Sequence, residues 1–270
     1  MSVLGFQMWE PFRQNLIAEH RFYVEQARKR LLSQFENMEA EADKAAEEHL
    51  EKMSIHFNPD KHDPSDFYEA AHEKGIEFYQ LLSDMNETTR LSVIAGIFHQ
   101  WDKKLRDWIV REMRHWHQGE HAIQSIWKAD VTAILDFLVA FGFNVKALSC
   151  YERLDAMRLV VNVFKHGNGR SLDELKESFS EFIADPFGDE GDHQFFLHYL
   201  EHADMKVSDV QLDQFSEAIL DFWKAVPKEI YLSGEIDAPK WFEKAFLKDG
   251  AEAYDPDNCP YHAKHGRNCV

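Results

Sequence analysis

Helix breakers are scarce in this chain, and that scarcity constrains its fold more than any other feature. Across 6–53 almost none follows Pro11, and the 270 residues together hold only 12 Gly and 8 Pro. A many-stranded sheet needs a turn residue every few positions, whereas long helices do not. Apolar residues make up 44% and aromatics 13% of the chain. That is enough for one large helical domain or two small ones with a proper core, so the expected class is all-α.

The apolar spacing supports helices along most of the length. Leu16, Phe22, Tyr23, Ala27, Leu31, Phe35 and Met38 keep roughly helical intervals within 6–53. The last part, 39–52, is rich in Ala, Glu and Lys and poor in large apolar groups. It reads as a helix projecting into solvent or lying along a partner. Asn58-Pro59-Asp60 and Asp63-Pro64-Ser65 mark a loop, because proline removes a donor and restricts its predecessor. A helix then runs through Phe67, Ala71 and Ile76 to Leu82. Another begins near Asn86 and carries Leu91, Ile94, Phe98, Trp101, Leu105, Trp108, Ile109 and Met113 in a three-then-four rhythm.

After a break at His117-Gln118-Gly119, residues 126–141 read as an apolar helix closed by Gly142. A helix over 152–166 follows, and Ser171-Leu-Asp-Glu174 has the form of a capping box that starts the next. A further helix over 210–226 ends at Pro227; 194–199 and 229–232 are the strand candidates, and one short helix is expected near 240–247. The implied organisation is an N-terminal helical segment (1–85), a helical core (86–232) and a less regular C-terminal tail (233–270).

The formal charge is −18, from 30 Lys and Arg against 48 Asp and Glu. Such a surface repels a polyanion, which argues against a general nucleic-acid binder. It leaves room for a nuclease that grips a short stretch, and it attracts a basic protein. The first residues, Met1-Ser-Val-Leu-Gly-Phe, lack the basic and apolar regions of a signal peptide. No run reaches membrane-spanning length; 134–143 is too short and contains Asp136. Cys150 lies far from Cys259 and Cys269, so no disulfide framework is implied. The expected location is the cytoplasm, with no membrane partner.

The one concentrated chemical feature is Arg158-Leu-Val-Val-Asn162-Val-Phe-Lys165-His166-Gly167. Arg158, Asn162 and His166 are four apart, on one side of a helix whose other residues are largely apolar. Two readings fit. In the first, His166 exchanges protons with a ribose 2′-hydroxyl while Arg158, Asn162 and Lys165 stabilise the pentacovalent phosphate. That route needs no metal and leaves a cyclic phosphate. A histidine at a helix C-terminus is favoured in its protonated form, which suits an acid better than a base. In the second, Asn162 and His166 pair with polar groups of a neighbouring helix, and Gly167 is a left-handed cap.

The run Tyr151-Glu-Arg-Leu-Asp-Ala-Met-Arg-Leu-Val-Val-Asn-Val-Phe-Lys-His-Gly-Asn-Gly resembles the last core helix of HEPN-type proteins. The upstream helix with Trp101, Leu105 and Arg106 is similar to an earlier helix of that family, and the resemblance covers roughly 88–185. It implies a HEPN-like helical bundle, here with a long N-terminal helical extension. It also implies a metal-independent endoribonuclease of a toxin–antitoxin or anti-phage defence system, acting on RNA as a homodimer, with His166 as general acid/base. The alternative it carries is a non-catalytic interaction or regulatory module that binds a basic partner or antitoxin protein through its acidic surface. One departure stands out: where the family motif has arginine, this chain has Val161. Arg158, one turn earlier, is the substitute.

Cys259, His262, His265 and Cys269 put four potential metal ligands, two thiolates and two imidazoles, in eleven residues. They suit a structural zinc, although the spacing is not that of a standard finger and a free polar tail is the other reading. No other cofactor is required. His115, His117 and His121 form a second histidine cluster, interrupted by Gly119 and without the acid of a zinc-protease motif.

Overall fold

A computed structural model describes residues 3–184, 199–232 and 237–253 of the chain. The protein is mostly helical, with a single two-stranded sheet among the described residues. In chain order the elements are β1 (Val3–Gln7), α1 (Glu10–Arg30), α2 (Met38–Ser54), α3 (Pro64–Met113), α4 (Glu120–Lys128), α5 (Val131–Ala140), α6 (Tyr151–His166), α7 (Arg170–Ser178), α8 (Asp209–Ala225), β2 (Glu229–Leu232) and α9 (Lys240–Ala253). No described helix is long and apolar enough to cross a membrane.

Several boundaries differ from the sequence expectation. The stretch 6–53 is a strand and two helices, α1 and α2, with a 3₁₀ turn at Leu32–Phe35 between them. In contrast, the two helices expected on either side of Asn86 are the single helix α3. No proline or glycine lies between Leu82 and Asn86, and the hydroxyls available to cap a new helix there bond backward instead. Thr89 Oγ1 donates to the Met85 carbonyl and Ser92 Oγ to that of Thr88. The helix expected over 126–141 is split into α4 and α5, because the Asp130 carboxylate accepts from the Ala133 N–H and starts a new helix there. Helix α7 begins at Arg170 after Gly169 with no side-chain cap, so Ser171 lies inside it and the capping box does not form.

The chain gathers into two compact units. The first takes the residues up to Glu19, His99–Leu154 and those from Glu217 onward; the second takes His20–Phe98 and Asp155–Ser216.

In the first unit, β1 pairs antiparallel with β2, Phe6 opposite Ile230, with an irregularity between Leu4 and Phe6. Phe6 is 1% exposed and has ring contacts with Trp108, Trp116, Phe137 and Phe141 at 5.8–6.2 Å. The indole N–H groups of Trp108 and Trp116 donate to the Gln7 and Gly5 carbonyls, so the strand is held by its backbone as well as by Phe6. Two buried arginines close helix ends in this unit. Arg13 Nη1 donates to the carbonyls of Trp223 and Lys224 at the end of α8. Arg106 Nη1 donates to those of Ile126 and Ala129 at the end of α4, while its Nε pairs with Asp102 at 2.9 Å. Each cation meets carbonyls that helix geometry leaves without partners.

In the second unit the core includes Val93, Ile94, Ile97, Val160, Val161, Leu172, Leu175 and Leu212. Phe182 and Phe215 stack at 5.3 Å. His20 is buried, its Nε2 2.9 Å from Ser216 Oγ. Helix α2 contributes one buried residue, Ala42, and the part of α3 before Val93 only Ala71 and Gly75. Gly75 faces the Ala42 carbonyl and the Ala46 methyl, which a Cβ would meet at 3.3 and 3.2 Å, so small residues bring α2 and α3 close together.

Candidate functional site

The end of α6 is where the sequence concentrates its polar chemistry. Val160, Val161 and Val163 are buried and hold the helix against the second unit's core. Asn162 is half-buried, while Lys165 and His166 are exposed. The helix stops because Gly167 takes φ +72°, and its N–H bonds to the Val163 carbonyl at 2.8 Å. Only glycine adopts that conformation without strain, so the expected left-handed cap is present. Asn168 follows, and its Oδ1 accepts from the backbone N–H of His202 at 2.8 Å and lies 2.9 Å from His202 Nδ1. The outer turn is thereby tied to the segment around His202, a partner that the irregular spacing of the histidines concealed.

Arg158 occupies a different environment. Its side chain is 19% exposed; Nε pairs with Asp155 at 2.7 Å, and Nη2 lies 3.6 Å from Glu174. Glu174 in turn pairs with Arg170 at 2.7 Å. The guanidinium therefore sits between two carboxylates, supplied by its own helix and by α7. The sequence offers Glu174 only as the acid of a capping box and gives Asp155 no role, although an acid three residues before an arginine is a readable helix pair.

Helix geometry separates these groups further. Residues four apart are displaced by about 40° and about 6 Å along the axis, so Arg158 and His166 differ by about 80° and about 12 Å. Asn162, Lys165 and His166 lie within one turn of each other, and Arg158 stands outside that group. Val161, at the position where the resemblance leads one to expect arginine, is 2% exposed and faces the core. The edge of α6 is open to solvent at Lys165 and His166, but its arginine is paired with carboxylates.

No protein-family model, curated protein or solved structure matches the chain.

Among the described residues, no group of three or more His, Cys, Asp or Glu side chains is arranged to hold a metal ion. Cys259, His262, His265 and Cys269 lie outside the described residues. Of the other histidine cluster, His117 is committed to a structural contact: its Nε2 is 2.8 Å from Asp249 Oδ2. The same carboxylate accepts from the backbone N–H groups of His121 and Ala122 at the start of α4. This α9 side chain does what the missing side-chain cap at Gly119 does not.

Proposed function

We propose that this chain is a non-catalytic helical module of the HEPN-like kind, which binds a basic partner protein through its acidic surface. The observation that carries the reading is the state of Arg158. Its guanidinium is taken by Asp155 and Glu174, and the neighbouring position of the motif is the buried Val161. Phosphodiester cleavage without a metal depends on cations and hydrogen-bond donors aimed at the developing phosphorane charge, and losing one such donor costs about 10² to 10³ in rate. Here the arginine is lost to that role, and carboxylates stand close by. The net charge of −18 adds a field that disfavours RNA and favours a basic protein.

The test is an RNA cleavage assay on the purified full chain, with and without EDTA. The module reading expects no cleavage in either condition, and no difference between the parent and His166→Ala.

A second reading, the metal-independent endoribonuclease of a defence or toxin–antitoxin system, is favoured by one specific feature. His166 is exposed at the end of α6, with Lys165 beside it and Asn162 one turn away. Its expected result is cleavage in EDTA that leaves a cyclic phosphate and is lost in His166→Ala with helicity retained. That result would replace the module reading. It would also call for a homodimer, since one α6 edge supplies half of the composite site that the family resemblance implies.

A further inference from the structure

We infer that the groove between α2 and the first four turns of α3 is the docking site for a basic amphipathic helix of another protein. The inference rests on the module reading above, and it adds the place and the chemistry of the partner.

The two helices run antiparallel, and two depressions of about 490 and 330 Å³ follow one another between them. Their floor is apolar and shallow. Ala42, Ala46 and Leu50 come from α2, and Gly75 comes from α3. One rim is a row of carboxylates on α2: Glu39, Asp43, Glu47 and Glu51, each four residues from the next and each exposed. Among the described residues none of these four has a cation within ion-pair distance. The opposite rim is largely apolar, with Tyr68, Ile76 and Tyr79 exposed by 64%, 47% and 39%. Large apolar groups are thus left in water along α2 and the first turns of α3, which contribute only alanine and glycine to the buried interior.

The shape and the charge together select the occupant. A groove between two antiparallel helices accepts a third helix by ridge-into-groove packing, with the apolar stripe of the incoming helix on the floor. Carboxylates spaced by four recur about every 6 Å, so the row from Glu39 to Glu51 spans about 18 Å. Lysines or arginines four apart on an incoming helix have the same repeat. A second copy of this chain would bring an identical carboxylate row against the first, and like charges at that spacing repel. A helix that is apolar on one face and basic on the adjoining flank satisfies both rims.

The probe is a synthetic 18-residue peptide with a leucine stripe and lysines at every fourth position of one flank, labelled for fluorescence anisotropy. Its control is a scrambled peptide of the same composition and charge. With the full chain, the helical peptide is expected to bind at roughly micromolar concentration. The scrambled one should bind at least tenfold more weakly. The variant pair Asp43→Lys with Glu47→Lys should weaken binding at least tenfold and flatten its salt dependence. Ile76→Asp should weaken it at least fivefold. All three positions are exposed, and circular dichroism verifies that the helices persist.

Equal binding of the two peptides, absence of binding, or indifference to these variants would overturn the inference. So would a dimer in ultracentrifugation that Ile76→Asp dissolves, since it would assign the groove to a second copy. The outcomes are separable from those of the cleavage assay. Cleavage lost in His166→Ala removes the module reading whatever the peptide does. Failure of the peptide without cleavage leaves a module whose partner binds elsewhere.

Discussion

Asp249 accepts from His117 across 2.8 Å and, with the same carboxylate, from the first N–H groups of α4. One side chain of α9 thereby fixes both the turn after α3 and the start of the next helix. Asp249→Asn, which keeps the shape but weakens the acceptor, is expected to cost about 1–3 kcal/mol. The loss should appear as a lower urea midpoint at unchanged slope. Burial works to raise the Asp249 carboxyl, but hydrogen bonds from His117, Ala122 and His121 hold it below its ordinary value. Its contribution is therefore present above about pH 4 and is lost as the pH falls toward the depressed folded value. An unchanged acid limb in Asp249→Asn would contradict this.

Gly119 is the space Asp249 occupies: a Cβ there would stand 2.2 Å from the Asp249 Cγ. The backbone at Gly119 is ordinary, with φ −72°, so the effect of Gly119→Ala is steric. We expect a loss comparable to that of Asp249→Asn, and a double variant whose loss is clearly smaller than the sum. Strict additivity in the double-mutant cycle would show that the two positions act separately.

His20 supplies a second pH dependence of a different origin. Burial pushes its imidazole down to about 4, and the charge of Arg21 adds to that against the opposing hydrogen bond with Ser216. The unfolded chain takes up the proton first, so stability falls as the pH drops through 6.5 and levels off below about 4. The full change is roughly 3 kcal/mol. In His20→Gln the slope of stability between pH 7 and 5 should flatten; a slope equal to that of the parent would assign the effect elsewhere.

The two arginines of greatest contrast are Arg106 and Arg158. Arg106 is 5% exposed and closes α4, so Arg106→Met leaves carbonyls and Asp102 without their partner and is expected to cost roughly 2–4 kcal/mol. For a chain of this size that is a fall in Tm of several degrees or more. Arg158 lies at the edge with partly exposed partners, and Arg158→Ala should cost under about 1 kcal/mol. Calorimetry of the two variants side by side reads the difference, and equal losses would be inconsistent with their environments.

The helices were legible where one face meets a core. Helix α6 was expected at 152–166 and α8 at 210–226, and both are within one residue of Tyr151–His166 and Asp209–Ala225. Buried valines and phenylalanines at helical spacing leave little freedom there. The strand Glu229–Leu232 was also visible, but its partner β1 was not: the expected helical stretch takes in only Phe6 and Gln7 of it, and what defines the strand is a pairing with residues far along the chain. The exposed edge of α6 was readable as Asn162, Lys165 and His166. The environment of Arg158 was not, because Glu174 arrives from another helix. Spacing reports which residues share a face; it is silent on which side chains a fold brings to that face from elsewhere.

The pairing of Phe6 with Ile230 has a consequence for biogenesis. The strand that carries Phe6 leaves the ribosome about 220 residues before its partner does. At ordinary elongation rates that delay is on the order of ten seconds or more. Throughout that interval a phenylalanine destined for the interior has no sheet to join. A chaperone that recognises short apolar segments would find its substrate in the unpaired β1 segment, and release would follow once residues 229–232 emerge.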